Sequence, residues 1–307
     1  MVPSDTPLSI APSPIAPLTD DVTLGPTPLP DAPLPTVSAR SKLLTLLGTI
    51  PFWLCHLACL GAIWTGFGVW EAVLCLGLYY VRMFGVTAGY HRYFAHRSYR
   101  TSRWFQFVLA WLAMSSTQKG VLWWAGHHRT HHQHSDEAGD VHSPKLDGFW
   151  WSHVGWILST RYNQTDWARI KDMASFPELR WLNRWWLLPP VTLAVGLYLL
   201  GGWSWLIWGF FVSTVLLWHG TFTINSLSHV LGSRRYPTTD TSKNNWYLAL
   251  LTMGEGWHNN HHHYMSSVKQ GFFWWEFDAT YYVLKVLSWL GIVWDLRQPP
   301  REMLARG

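Results

Sequence analysis

A chain of 307 residues that is 49% hydrophobic and only 13% charged departs from an ordinary soluble domain, which carries about 25% charged residues. Its net charge of +5 comes from scattered Lys and Arg with no basic block, which argues against a nucleic-acid partner and for a membrane surface or an anionic headgroup. Its three cysteines, Cys55, Cys59 and Cys75, all sit in apolar runs, so neither a disulfide framework nor a cysteine metal site is expected.

Residues 1–40 are rich in Pro, Ser, Thr and Asp without apolar periodicity. Such a segment cannot bury enough surface to offset its ordering entropy, and a disordered tail is expected. Residues 41–300 form the expected domain, and 301–307 a C-terminal tail. A membrane span needs about 20 predominantly apolar residues. Candidates run over about 43–64 and 70–88, joined by a short uncharged turn, and over about 185–200 and 203–223, joined by Gly201 and Gly202. This makes two helical hairpins. Pro51 should kink the first span, and Pro189 and Pro190 should weaken the third. The apolar stretch Trp104 to Met114 is too short to cross and reads as an interfacial helix. Arg82 lies inside the second span, where an orienting or snorkelling role is expected. Positive residues, among them Arg40, Arg92, Arg184 and Arg235, flank the open ends of both hairpins and are absent from the turns. By the positive-inside rule, both termini and the polar segments between the hairpins face the cytoplasm. The 24 tryptophans suit the membrane–water interface.

Four patches carry the chemistry. They are His91 and His96, five apart; His128, His131 and His132; Asn225 and His229; and His258, His261 and His262. On a helix, residues three and four apart share a face, so each H-x-x-H-H patch fans its imidazoles toward one point. The pair five apart fits a helix end or kink better than a regular turn. Nine imidazoles are too many for one ion. A structural zinc uses four ligands tetrahedrally, whereas two ions with four or five histidines each retain open positions, which suits redox iron and O₂. Asn225, one helical turn before His229, could hold a metal-bound water. Asp136, Glu137, Asp140 and Glu255 could orient imidazoles from behind. His56, His134, His142, His153, His219 and His263 read as hydrogen-bonded structural residues, and a metal transporter is disfavoured because the spans contain too few ionisable groups to line a path.

The order His91-Arg-Tyr-Phe-Ala-His96, His128-Arg-Thr-His131-His132, Asn225-Ser-Leu-Ser-His229, Gly254-Glu-Gly-Trp-His258-Asn-Asn-His261-His262 resembles the membrane fatty acyl desaturases of the stearoyl-CoA desaturase type, in their bacterial branch, over roughly residues 45–300. The resemblance implies an all-α integral membrane protein with four transmembrane helices in two hairpins beneath a helical cytosolic cap, in a bacterial inner membrane. It implies two iron ions on the nine histidines, with Asn225 acting through water. The expected activity is O₂-dependent insertion of a cis double bond, at the Δ9 position, into a saturated acyl chain held in a kinked tunnel. Acyl-CoA is the expected carrier. An acyl-lipid substrate and a di-iron fatty acyl hydroxylase stay open. No cytochrome b5 domain is fused, so two electrons would come from a separate ferredoxin-, rubredoxin- or cytochrome b5-like donor. The family's basic residue ahead of the second box is absent from Trp124-Ala-Gly126-His127, which puts CoA recognition in doubt. Arg161 matches another basic family position and could bind phosphate. Cys75 and Tyr79 are expected at the deep end of the tunnel.

Overall fold

The computed structural model describes residues 39–305, with side chains from residue 46. The expected tail falls outside the described residues as far as residue 38. The architecture is mostly helical. The one sheet among the described residues is a two-residue antiparallel pair, Arg100–Thr101 with Val293–Trp294.

Three helical stretches among the described residues are long and apolar enough to cross a membrane: Leu46–Thr65, Val69–Ala95 and Leu188–Val230. The first includes Pro51 within helix Ala39–Ala58 and passes through a 3-10 turn at Cys59–Gly61. It ends at Gly66, whose φ of +70° is one that glycine adopts without a Cβ penalty. Glu71 then caps the next helix by accepting from the Gly68 amide at 3.1 Å. The third stretch is helical by residue count over 43 positions, but it breaks at Gly201 and at Gly202, where φ is +61° and ψ −149°. Two contacts place this break beside the Gly66 turn. Ser204 donates to Glu71 at 2.8 Å, and the Trp208 indole donates to the Gly66 carbonyl at 2.7 Å.

Two expectations are corrected here. Pro189 and Pro190 do not weaken the helix they occupy, because they stand in the first turn of Leu188–Trp205, where the missing N–H groups have no intrahelical partner to lose. Arg82 does not snorkel. It is fully buried and donates to the Leu78 and Ser115 carbonyls, to Thr214 at 2.7 Å and to Ser213. It therefore ties the second apolar helix to the last.

The second helix does not stop near residue 88. From Gly85 to Ala95 it widens into a π-helix whose every residue is buried. Helix Arg103–Met114, capped by Ser102, packs on it. A Cβ at Gly85 would lie 2.8 Å from the Ala113 nitrogen, and one at Gly89 would lie 3.1 Å from the Leu109 carbonyl. The short apolar stretch is thus a helix packed on the π-helical stretch, with Leu109, Ala110, Ala113 and Met114 buried. Further helices run over Val121–His134, His258–His263 and, capped by Asp278, Ala279–Trp289. The C-terminal segment packs back on helix His258–His263, with the Met303 carbonyl 3.2 Å from His263 Nε2.

Candidate metal centre

Backbone geometry settles how a histidine pair five apart can point one way. In the π-helix the His96 amide donates to the His91 carbonyl at 3.1 Å, an i→i+5 bond that brings residues five apart onto one face. Helix Val121–His134 presents His128 and His132 one turn apart, and His258–His263 does the same for His258 and His262.

The nine imidazoles expected from the sequence converge as two groups. His91, His96, His128, His132 and His261 offer nitrogens that all lie within 4.8 Å of one another, and so do His131, His229, His258 and His262. In the first group the Nε2 atoms of His91 and His261 are 3.0 Å apart, those of His96 and His128 are 2.9 Å apart, and those of His261 and His132 are 2.9 Å apart. In the second, His229 and His258 Nε2 are 3.1 Å apart.

Carboxylates hold the outer nitrogens. Glu255 lies 2.6 Å from His91 Nδ1, Asp140 2.8 Å from His131 Nδ1, Asp240 2.6 Å from His262 Nδ1, and Asp136 3.4 Å from His229 Nδ1. Each carboxylate accepts a hydrogen bond from the Nδ1–H, which leaves the Nε2 lone pair facing inward. His131 Nε2 and His262 Nε2 are accordingly buried with no hydrogen-bond partner. Unpaired buried polar atoms are costly, and converging lone pairs repel unless a cation lies between them. The donor set therefore fits two metal ions, one per group.

Electrostatics agree with that donor set. Burial, reinforced by neighbouring imidazoles, holds His96, His128, His132, His258 and His261 well below the ordinary imidazole value, hence neutral. His262 is brought down to about 4, burial outweighing the opposing pull of Asp240. Burial would raise Asp140 and Asp240, yet their histidine partners hold both below the usual carboxylate range. Asp136 is held low against burial by His229, Ser143 and Thr241.

Asn225 is half-buried and, with His128 and His142, lines a cavity of roughly 330 Å³. Apolar groups, among them Phe52, Cys55, Trp124 and Trp218, form most of the wall, and Lys119, Thr160 and Asn163 add polar atoms. Burial lowers the Lys119 ammonium to about 8, and it donates to Asn163 at 2.8 Å. Arg161, between two cavity-lining residues, is exposed. Tyr79 and Cys75 are buried but do not line this cavity. The Tyr79 hydroxyl donates to the Leu251 carbonyl at 2.8 Å. Gly126 is buried, and a Cβ there would lie 3.2 Å from the Asp166 carbonyl. The neighbouring His127 bonds the Trp123 carbonyl through Nδ1 at 2.9 Å.

Several participants were not legible. Asp240 sits in a Thr-rich loop 22 residues before the histidine it holds, and no spacing marks it. Gln270, 3.2 Å from His91 Nδ1, gives no signal either. Arg92, read as a flanking surface charge, is fully buried and bridges Glu255 at 2.9 Å and Asp278 at 3.0 Å. It fixes the carboxylate that faces His91. His142, read as structural, joins His131 and Asp140 in a further group of possible ligands. Glu137 is exposed, and among the described contacts its carboxylate bonds no imidazole nitrogen.

Residues 68–288 match the family model for fatty acid desaturase. Among curated proteins, the chain is 37% identical to the sn-2 palmitoyl-lipid 9-desaturase of Nostoc sp., over 73% of this chain and 80% of the relative. It is 39% identical to the sn-1 stearoyl-lipid 9-desaturase of Synechocystis sp., over 81% and 79%, and 38% identical to an acyl-CoA 5-desaturase of Anemone leveillei, over 80% and 77%.

Proposed function

The chain belongs to the fatty acid desaturase family, and from that premise we propose that it inserts a cis double bond at the Δ9 position of a saturated acyl chain, using two iron ions, O₂ and electrons from a separate ferredoxin-, rubredoxin- or cytochrome b5-like protein. The observation that carries the proposal is that one apolar cavity reaches the first imidazole group at His128 and is lined beside it by Asn225 and by His142, whose ring lies 4.2 Å from that of His131 in the second group. When bound, the iron pair supplies an oxidant strong enough to remove hydrogens from an unactivated chain. The protein's residues hold the chain, keep it dry and fix the imidazoles. Asn225 is read as the holder of a metal-bound water.

The carrier we favour is a membrane glycerolipid. Support comes from Gly126, which packs against the Asp166 backbone where acyl-CoA members of the resembling type carry a cation, and from relatives named for lipid-linked chains. Acyl-CoA is the second reading, favoured by Lys119 and Arg161 in the loops bounding the cavity. The membrane plan we propose has four spans in two hairpins, with the imidazoles and both termini on the cytoplasmic side of a bacterial inner membrane. The break at Gly201–Gly202 and the contacts of Ser204 and Trp208 with the first turn support it.

Expression in a host lacking monounsaturated chains, with lipid classes separated before fatty-acid profiling and with iron measured, tests the reading. New Δ9 monoenes confined to glycerolipids and absent from His131→Ala are expected. An alcohol product would identify a hydroxylase, and no lipid change in an iron-replete protein would end the proposal.

A further inference from the structure

Three histidines outside the two metal groups are linked end to end. His56 Nδ1 lies 2.8 Å from the Phe52 carbonyl, and its Nε2 lies 3.1 Å from His219 Nε2. His219 Nδ1 lies 3.0 Å from His153 Nε2. His153 Nδ1 lies 3.0 Å from the Ser226 hydroxyl, which lies 3.0 Å from the Phe222 carbonyl. We propose that His56, His219 and His153 form a relay that carries one excess proton along the outside of the acyl cavity to the turn bearing Asn225.

The argument is a proton count. Five contacts join the two terminal carbonyls, and each contact needs one hydrogen. Three neutral imidazoles and one hydroxyl supply four. Because a carbonyl at either end can only accept, the neutral chain is one hydrogen short wherever its tautomers are drawn. Adding one proton completes every contact. The Ser226 hydroxyl then faces Phe222, the His153 Nδ1–H faces Ser226, and the two remaining shared protons can shift between rings. The positive charge can accordingly rest on His153, His219 or His56, and single hops move it from one to the next. No carboxylate, Lys or Arg bears on the chain among the described contacts. His219 bonds His153 and His56, and the surrounding rings are Phe52, Trp218, Phe149 and Phe222.

Position supplies the use. Phe52, Trp218, Phe222 and Asn225 line the cavity, whereas the three histidines do not. An acyl chain filling that cavity displaces the water that could carry protons, and the imidazole chain lies outside the lining. Ser226 follows Asn225, and Ser152, next to His153, donates to the Asn225 carbonyl at 2.7 Å. Converting –CH₂–CH₂– to –CH=CH– while two electrons reduce O₂ to two waters takes up two protons, which with the two substrate hydrogens complete four O–H bonds. The excess proton held beside the Asn225 turn would be one of the two taken up. That step rests on the desaturase reading, but the proton count does not.

Two measurements decide it. In full-length protein carrying ¹⁵N-labelled histidine, acidification from pH 8 toward pH 5 should load one proton shared over the three rings with a common midpoint, and His219→Gln should abolish the sharing. Rings that titrate separately, or that take up no proton, overturn the proposal. In the reconstituted enzyme, His219→Gln should keep iron content and lower double-bond formation about ten-fold or more, with a larger solvent deuterium isotope effect and rescue by added imidazole. Unchanged turnover and isotope effect overturn the relay. If His219→Gln does not fold, His56→Gln at the far end serves for both measurements. An inactive unsubstituted protein would count against the desaturase reading, while the ring titration still decides the proton count.

Discussion

An imidazole offers an ion one nitrogen, and whatever sits on the other nitrogen decides which. Asp140, Asp240, Glu255 and Asp136 make that decision for His131, His262, His91 and His229. Asp240 also meets Ser242 and Thr238, so it is held rigidly as well as charged. Replacing it by Asn keeps the shape but removes the charge that fixes the Nδ1 proton. Asp240→Asn should lower iron affinity by about 10–100-fold, read by chelator competition, while exposed Glu137→Gln should leave it unchanged. Equal behaviour of the two variants would deny the carboxylate its role. At this scale the sequence was informative where donors cluster locally: the histidine spacings, and Asp136 and Asp140 within one turn and loop of His131. It was silent on Asp240 and Gln270, because loops that fold back from distant positions leave no periodicity. It misled for Arg92, since a charge near a span end looks the same whether it meets water or two buried carboxylates.

Helical spacing rules explain the H-x-x-H-H patches, but the pair five apart needed a different helix. A π-helical stretch is not encoded by any short motif. It is chosen here by packing, as Gly85 and Gly89 allow helix Arg103–Met114 to approach the widened backbone. The helix itself runs on past residue 88 as far as Ala95, a continuation that an apolar count does not mark. Gly85→Ala would press a methyl group against the Ala113 backbone at 2.8 Å, a contact that no side-chain rotation relieves. Overpacking of this kind costs about 1–3 kcal/mol, and the displaced turn carries His91. The variant should melt at lower temperature and bind less metal. Gly196→Ala, with nothing within 4 Å of its Cβ and a helical backbone, should instead match or exceed the parent by about 0.5–1 kcal/mol. A Gly85→Ala protein as stable as Gly196→Ala would show that the close approach has no energetic weight.

Over the whole molecule, the two imidazole groups join segments far apart in sequence: the π-helical end of the second apolar helix, the last apolar helix, and helices Val121–His134 and His258–His263. Without ions this junction is held against its own electrostatics. The unfolded chain takes up protons on histidine near pH 6.5. The folded metal-free protein resists them, because burial depresses His96, His128, His132, His258 and His261, with His262 at about 4. When the folded value is the lower one, the unfolded state binds more protons, so stability rises with pH. The histidine contribution is therefore fully present above about pH 6.5 and is lost as pH falls toward the depressed folded values. Asp140 and Asp240, also depressed, hold their contribution until pH drops below about 4, and then add to the loss. Metal binding takes the same lone pairs and competes with protons, so its stabilisation should be largest at neutral pH and shrink on acidification. Thermal unfolding of chelator-stripped and iron-loaded protein between pH 8 and pH 4.5 checks both signs. The stripped protein should lose melting temperature below about pH 6.5, and the gap between the two forms should close. A stripped protein that gains stability in acid would mean that the imidazoles are not held neutral and inward-facing by the fold.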